Sequence, residues 1–298
     1  MINTPNAGSG IGYVLIATLG WSLSGLFVRL MPELNGWQIN CWRGLWMAIG
    51  LFIYLVMTHR QNILAQIQAI PLAVILTSAL CFAMGTTFYV TSLTLVSTAT
   101  VSVIGATSPL ITALLSPWIT GEKPPVLAWV SAALALVGMA IIAKAGIEIG
   151  HVFGLALSCC VPLTFALQTL LLRKHREHDM MIAICLGGLI AFIVAGFVSV
   201  LPGQHSAFSI GQKDFLLLMI MGPVQLSIPL IFYALGAKQM PAVTLSLIAM
   251  LDAVFNPLWP WLVVGERPET SSLIGGVVIL GAVVLVIIAT QLMPRKLA

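Results

Sequence analysis

The sequence predicts an all-α integral membrane protein, with ten transmembrane helices arranged as two five-helix repeats of inverted topology. Three observations predict this class. First, 59% of the 298 residues are hydrophobic and only 7% are charged, whereas a soluble domain carries roughly 25% charged residues over its wetted surface. A chain this poor in charge is solvated mostly by lipid, where exposed polar groups are penalised. Second, apolar stretches of about 20 residues, the length that crosses a hydrocarbon core, follow one another along the whole chain. Third, features of the first half recur in the second at a constant offset.

Taken in order, the apolar windows predict spans at 11–30, 37–57, 71–93, 98–118, 125–144, 152–172, 180–202, 214–236, 241–263 and 271–292. Turn-forming residues punctuate them: Pro32 and Asn35-Gly36 close the first, and Gly121 with Pro124-Pro125 separates the fourth from the fifth. Pro202-Gly203 ends the seventh, Pro241 opens the ninth, and Gly265 with Pro268 precedes the tenth. Glycine stops a helix, and proline suits the first turn of the next. The link between the third and fourth spans is very short and uncharged. Residues 1–10 lack the basic start of a cleavable signal, so the first apolar segment is expected to stay in the protein. Within the spans, Pro109, Pro117, Pro162, Pro223, Pro229, Pro257 and Pro260 each remove a backbone donor and can kink a helix.

Loop charges set the expected orientation. With the N-terminus inside, the inner side receives Arg60, Lys123, Arg173, Lys174, Arg176, Lys238, Arg295 and Lys296. The outer side receives Arg29, Arg43, Lys144, Lys213 and Arg267. This bias, and above all the central cluster Arg173-Lys174-His175-Arg176, places both termini in the cytoplasm of a multi-pass inner-membrane protein.

The repeat is the most informative feature. Gly121-Glu122-Lys123-Pro124 recurs as Gly265-Glu266-Arg267-Pro268, an offset of 144. The same offset pairs Phe88-Tyr89 with Phe232-Tyr233, Thr100 with Thr244, Ser102 with Ser246, Ile104 with Ile248, Leu114 with Leu258 and Arg29 with Arg173. The chain therefore divides into halves at about 1–148 and 149–298. Five spans is an odd number, so the second half must enter the bilayer from the opposite side. Inverted pairs of this kind recur in secondary transporters, with the substrate near the midplane between the repeats.

On these residues the chain resembles the drug/metabolite transporter superfamily, and within it the EamA-type ten-helix members. The duplicated five-helix unit, the two Gly-Glu-Lys/Arg-Pro turns, and Gly20-Trp21-Ser22 with Arg29 in the first span carry the resemblance. It implies a transporter of small metabolites, and the YddG-type exporters of amino acids, aromatic ones and methionine included, are the most similar subtype. The first span holds no acidic residue between 11 and 30, so the proton-coupling glutamate of the four-helix multidrug members has no counterpart.

The repeat also predicts a site. Ser108 and Thr112 in the fourth span stand at the same offset from Asp252 and Asn256 in the ninth. Residues four apart share a helix face, so each half offers one polar pair near mid-depth, where such groups should face protein or a wet cavity. Asp252 is the one acid deep within a span, and reads as an amine contact, a proton-linked switch, or a structural partner for Arg43. Arg43 either snorkels to the outer interface or meets a substrate carboxylate. Gln168 and Gln225 add mid-span hydrogen-bonding groups, while Trp21, Ser24, Met84 and Tyr89 are candidate pocket walls. Gly187-Gly188 and Gly275-Gly276 suit close helix packing.

Other classes find little support. The thirteen Lys and Arg are scattered rather than striped, so nucleic acid is not an expected partner. The five cysteines, Cys41, Cys81, Cys159, Cys160 and Cys185, lie in apolar stretches without metal-ligand spacing. His175, His178 and Asp179 cluster in the central loop but read as a solvated charge run. No metalloprotease, nucleophile-elbow or phosphate-loop motif is present; no enzyme activity, cofactor or metal is expected. The expected partners are a small-molecule substrate and the lipid bilayer, with the chain acting as a monomer. Competing readings are a transporter of cationic drugs or nucleotide-sugars, and a non-transporting membrane enzyme or subunit.

Overall fold

The computed structural model describes residues 7–96, 98–142, 152–201, 205–256, 258–265 and 270–292. Pro257, Lys144 and the Glu266-Arg267-Pro268 part of the second repeated turn lie outside them. Every regular element among the described residues is helical.

In chain order these are α1 (Ala7–Ser22), α2 (Ser24–Leu30), α3 (Gly36–His59), α4 (Ile63–Ala69), α5 (Leu72–Leu95), α6 (Thr98–Gly105), α7 (Ser108–Ile119) and α8 (Val126–Ile142). The second half supplies α9 (Val152–Lys174), α10 (Met181–Ser199), α11 (Gln212–Met221), α12 (Ile228–Ala237), α13 (Ala242–Ala249), α14 (Asp252–Phe255), α15 (Leu258–Val264) and α16 (Thr270–Leu292). Six helical stretches are long and apolar enough to cross a membrane, and four shorter apolar helices, Ser9–Ser22, Val126–Ile142, Ala242–Phe255 and Leu273–Ile288, accompany them. Their outer faces carry large exposed apolar side chains such as Phe52, Met57, Ile193, Phe197, Leu262 and Val277. A patch of that extent is stable only against lipid.

Several expected spans are interrupted, and the interruptions are ordered. The first breaks at Leu23, between α1 and α2. The fourth breaks at Ala106-Thr107 and the ninth at Met250-Leu251, positions that differ by 144. The eighth passes through a π-helical turn, Gly222–Ser227, with Pro223 inside it and Pro229 just beyond, where the missing proline donors favour a wider ladder. One short element was not legible in the sequence: a single 3₁₀ turn (Arg60–Asn62) and α4 fill the link between the second and third spans.

Packing follows the repeat. The main helix contacts are α3 with α10, α8 with α16, α5 with α9, α5 with α10, α1 with α12, and α3 with the π turn. Exchanging each position for its partner 144 residues away maps this set onto itself. Small residues mark the crossings. A Cβ on Gly44 would meet the Gly188 carbonyl at 3.0 Å, and a Cβ on Gly188 would meet the Gly44 carbonyl at 3.0 Å; these glycines are equivalent by the offset. Gly138 and Gly275 meet backbone to backbone at the α8–α16 crossing. Several buried hydroxyls are satisfied within their own helices, as in Thr18 to Val14 O at 2.7 Å and Ser131 to Leu127 O at 2.9 Å, an arrangement that lets small polar residues sit between apolar helices.

Gly121 and Gly265 both adopt positive φ, 75° and 78°. Each closes its helix from the left-handed region, with Gly121 N–H on Ser116 O and Gly265 N–H on Trp261 O, as a C-terminal glycine does. Pro124-Pro125 then lead into α8.

Candidate functional site

The interrupted helices surround a cavity of about 350 Å³. Its walls come from both halves at equivalent positions: Trp21 and Phe165, Ser24 and Gln168, Tyr89 and Tyr233, Ser102 and Ser246, Gly105 and Ala249, Ser108 and Asp252. The continuous helix pairs α3–α10 and α8–α16 lie mostly behind this wall, with Arg43 and Met139 reaching in.

One wall is aromatic. Trp21 lies 4.9 Å from Tyr233 between ring centroids and 6.3 Å, edge-on, from Phe165. The Tyr233 hydroxyl is held by Thr169 at 2.9 Å. The helix breaks supply a second kind of surface. Pro109 has no N–H, so the Gly105 carbonyl lacks its helical partner four residues on. In the other half, Ala253 N–H bonds Met250 O at 3.2 Å, one residue short of Ala249. Carbonyls at two equivalent positions thus lose their partners four residues on, beside Ser108 and Asp252, and such carbonyls can coordinate a cation or accept from an ammonium group.

Most of the residues singled out from the sequence meet here. Trp21, Ser24, Arg43, Tyr89, Ser108, Gln168, Asp252 and Asn256 all line the cavity. Three others do not. Met84 is 46% exposed, because α5 turns residues 81, 82, 85, 86 and 89 inward and leaves 84 on the opposite face. Thr112 is fully buried and donates to Ser108 O at 2.8 Å. Gln225, in the π turn, reaches the Trp21 carbonyl at 3.4 Å. The expected pairs therefore point one member inward in the first half and both in the second.

Arg43 departs furthest from expectation. It is only 8% exposed, so it does not snorkel to the interface. Its Nη2 donates to Thr86 Oγ1 at 2.9 Å and to Asn40 Oδ1 at 3.3 Å, and Thr86 Oγ1 donates to Asn40 Oδ1 at 2.7 Å. Among the described residues it forms no ion pair with Asp252. A buried cation therefore stands at the cavity wall, which leaves the second expected reading, contact with a substrate carboxylate. Asn40 was missed, although its i, i+3 spacing from Arg43 on one helix was a usable signal. Phe165 and Tyr233 were missed too, and the offset from Trp21 and Tyr89 would have found them.

Beyond Leu172 and Tyr233, at one end of the cavity, a charged clamp joins four elements. Arg173 Nε donates to Glu122 Oε1 at 2.6 Å, and Arg173 Nη1 donates to Ala237 O at 3.0 Å. Glu122 Oε2 accepts from Ala242 N–H at 3.2 Å. The first repeated turn thereby caps α13 and ties the ends of α9 and α12 together. Glu122→Gln is expected to lower stability by about 1–3 kcal/mol, the usual cost of losing a charged hydrogen bond. Thermal unfolding of the purified protein, with the exposed Lys123→Gln as control, measures this; equal melting temperatures would mean the clamp holds nothing. In the central loop, Asp179 bonds His59 Nε2 at 2.8 Å and Met181 N–H at 3.1 Å, and no metal-binding cluster occurs among the described residues.

A cavity between interrupted apolar helices, walled by matching positions of two repeats, is the arrangement that secondary transporters use. The chain belongs to the EamA-like transporter family, whose sequence profile matches residues 8–144 and again residues 151–288. The family comprises membrane transporters of small solutes. Among solved structures, 29 chains are similar to it. One, titled only "Crystal structure of protein", aligns with a TM-score of 0.83 over 97% of this chain and 100% of its own at 16% identity, a likeness of fold. No curated protein matches the chain.

Proposed function

We propose that this protein is a monomeric ten-span secondary transporter of the inner membrane, with both termini cytoplasmic, that exports amino acids by alternating access. In this reading residues 1–148 and 149–298 are inverted repeats, and the preferred substrates are apolar and aromatic amino acids, methionine included, as in the YddG-type subtype. The observation that carries it is the cavity itself: equivalent positions of both halves build it, and its lining holds one carboxylate, one buried guanidinium, the residues at the two helix breaks and an aromatic wall. An ammonium group suits Asp252 and the carbonyls at Gly105 and Ala249, and an apolar side chain suits Trp21, Phe165 and Tyr233. The charged clamp at Glu122–Arg173 supports a pathway closed at that end. The helix contacts that survive exchange of the halves support two states related by symmetry.

Counterflow in proteoliposomes, with a panel of amino acids and organic cations and with or without a proton gradient, tests the proposal. Saturable amino-acid exchange supports it. Exchange of organic cations alone would favour the second reading, for which Asp252 beside an aromatic wall is the specific support. No exchange by folded protein would overturn both. Asp252→Asn is expected to lower kcat/KM by about ten- to hundred-fold, the loss of one charge-assisted bond. Gln225→Ala, outside the cavity, should change it little.

A further inference from the structure

We propose that Asn40, Arg43 and Thr86 form a carboxylate-binding subsite at one pole of the cavity. The inference deepens the transport reading, since it names the anionic group the substrate must carry.

Donors outnumber acceptors at this pole. The Arg43 guanidinium offers five N–H groups and the Asn40 amide two. The acceptors nearby are Asn40 Oδ1, already taking bonds from Thr86 and Arg43, Thr86 Oγ1, taking one from Arg43, and the Tyr89 hydroxyl, which lies in the electrostatic neighbourhood of Arg43. Arg43 Nε and Asn40 Nδ2 are both buried without a partner. Arg43 itself is more than nine-tenths buried, lines the cavity, and among the described residues has no carboxylate beside it. A buried cation left in this state is costly, and a ligand that brings a negative charge and two acceptor oxygens relieves it.

The charge count selects the anion. One guanidinium flanked by neutral Asn40 and Thr86 matches a monoanion and a planar fork. Asp252 shares the cavity, and its carboxylate opposes any multiply charged guest. The pole is also built once. The positions 144 residues beyond Asn40, Arg43 and Thr86 are Ile184, Gly187 and Leu230, which offer no side-chain donor. The symmetric cavity therefore has one donor-rich end, and a zwitterion has a single favoured orientation in it.

Thermal unfolding of the purified full chain, titrated with phenylacetate or with the isosteric neutral phenylacetamide at matched ionic strength, tests the subsite without requiring transport. Phenylacetate is expected to stabilise the wild type at roughly ten-fold lower concentration than the amide. Arg43→Gln should abolish the preference. Asn40→Asp should abolish it too, by placing an internal counter-ion beside Arg43 while keeping the arginine and the fold. Equal effects of the two probes on the wild type, or a preference that survives in either folded variant, would overturn the subsite. The two readings separate in counterflow. If the phenylacetate preference stands while no amino acid exchanges, the subsite holds and the amino-acid assignment falls. If amino acids exchange but their amides compete equally well, the transport reading holds and the subsite falls.

Discussion

Gly105→Phe is expected to abolish counterflow while leaving the protein as stable as the parent. Gly105 ends α6 at the break in the fourth span, lines the cavity, and a Cβ built on it meets no atom within 4 Å. The added ring has one direction open to it, the cavity, whose volume of about 350 Å³ leaves little room for a second aromatic group beside a substrate. Its backbone does not need glycine, since its φ is not among the positive ones, and replacing a helical glycine by phenylalanine favours the helix by no more than about 0.5 kcal/mol. Melting temperature and counterflow, measured on the same preparation, separate a blocked site from a damaged fold. Transport at the parent rate would mean that the solute does not pass this wall, and the cavity would lose its assignment.

Gly188→Leu should do the reverse, destabilising the protein on the order of 3 kcal/mol or preventing its accumulation, as overpacking does at a close crossing. A Cβ there collides with the Met47 methyl and lies 3.0 Å from the Gly44 carbonyl and 3.3 Å from Ala48 Cβ. The methyl can swing away; the carbonyl belongs to α3 and cannot move without the whole helix. A Cβ on its neighbour Gly187 would meet α5 instead, 2.8 Å from the Ala79 carbonyl, so the two glycines let α10 wedge between two helices. Gly12→Leu, with open space around its Cβ, is the control. A melting temperature for Gly188→Leu equal to that of the control would show that α3 and α10 part at little cost.

Much of this architecture could be read before any coordinates. Low charge and recurrent apolar windows suffice for a membrane fold, because lipid admits few backbone solutions. The offset of 144 anticipated more than its own identities. It relates the glycines at the α3–α10 crossing, the breaks at Ala106-Thr107 and Met250-Leu251, and the facing walls of the cavity. The inward positions of Ser108, Asp252 and Asn256 followed from the same periodicity. Helix periodicity could not decide Met84, since the hydroxyl residues of α5, from Thr77 and Ser78 to Thr86, Thr87, Thr91 and Ser92, fall on more than one face and leave no single apolar stripe to orient it. Thr112 was equally undecidable, because a threonine hydroxyl can bond its own helix as readily as a solute.

The sequence by itself determined the solvent of this protein and its division into two similar halves, both of which depend on composition and spacing along one chain. Only the tertiary structure decided that Arg43 is enclosed by Asn40 and Thr86 rather than drawn to the interface, and that Glu122 clamps Arg173 across 51 residues. A long cationic side chain can reach water or protein from the same backbone position. Which it does depends on acceptors that another helix brings beside it.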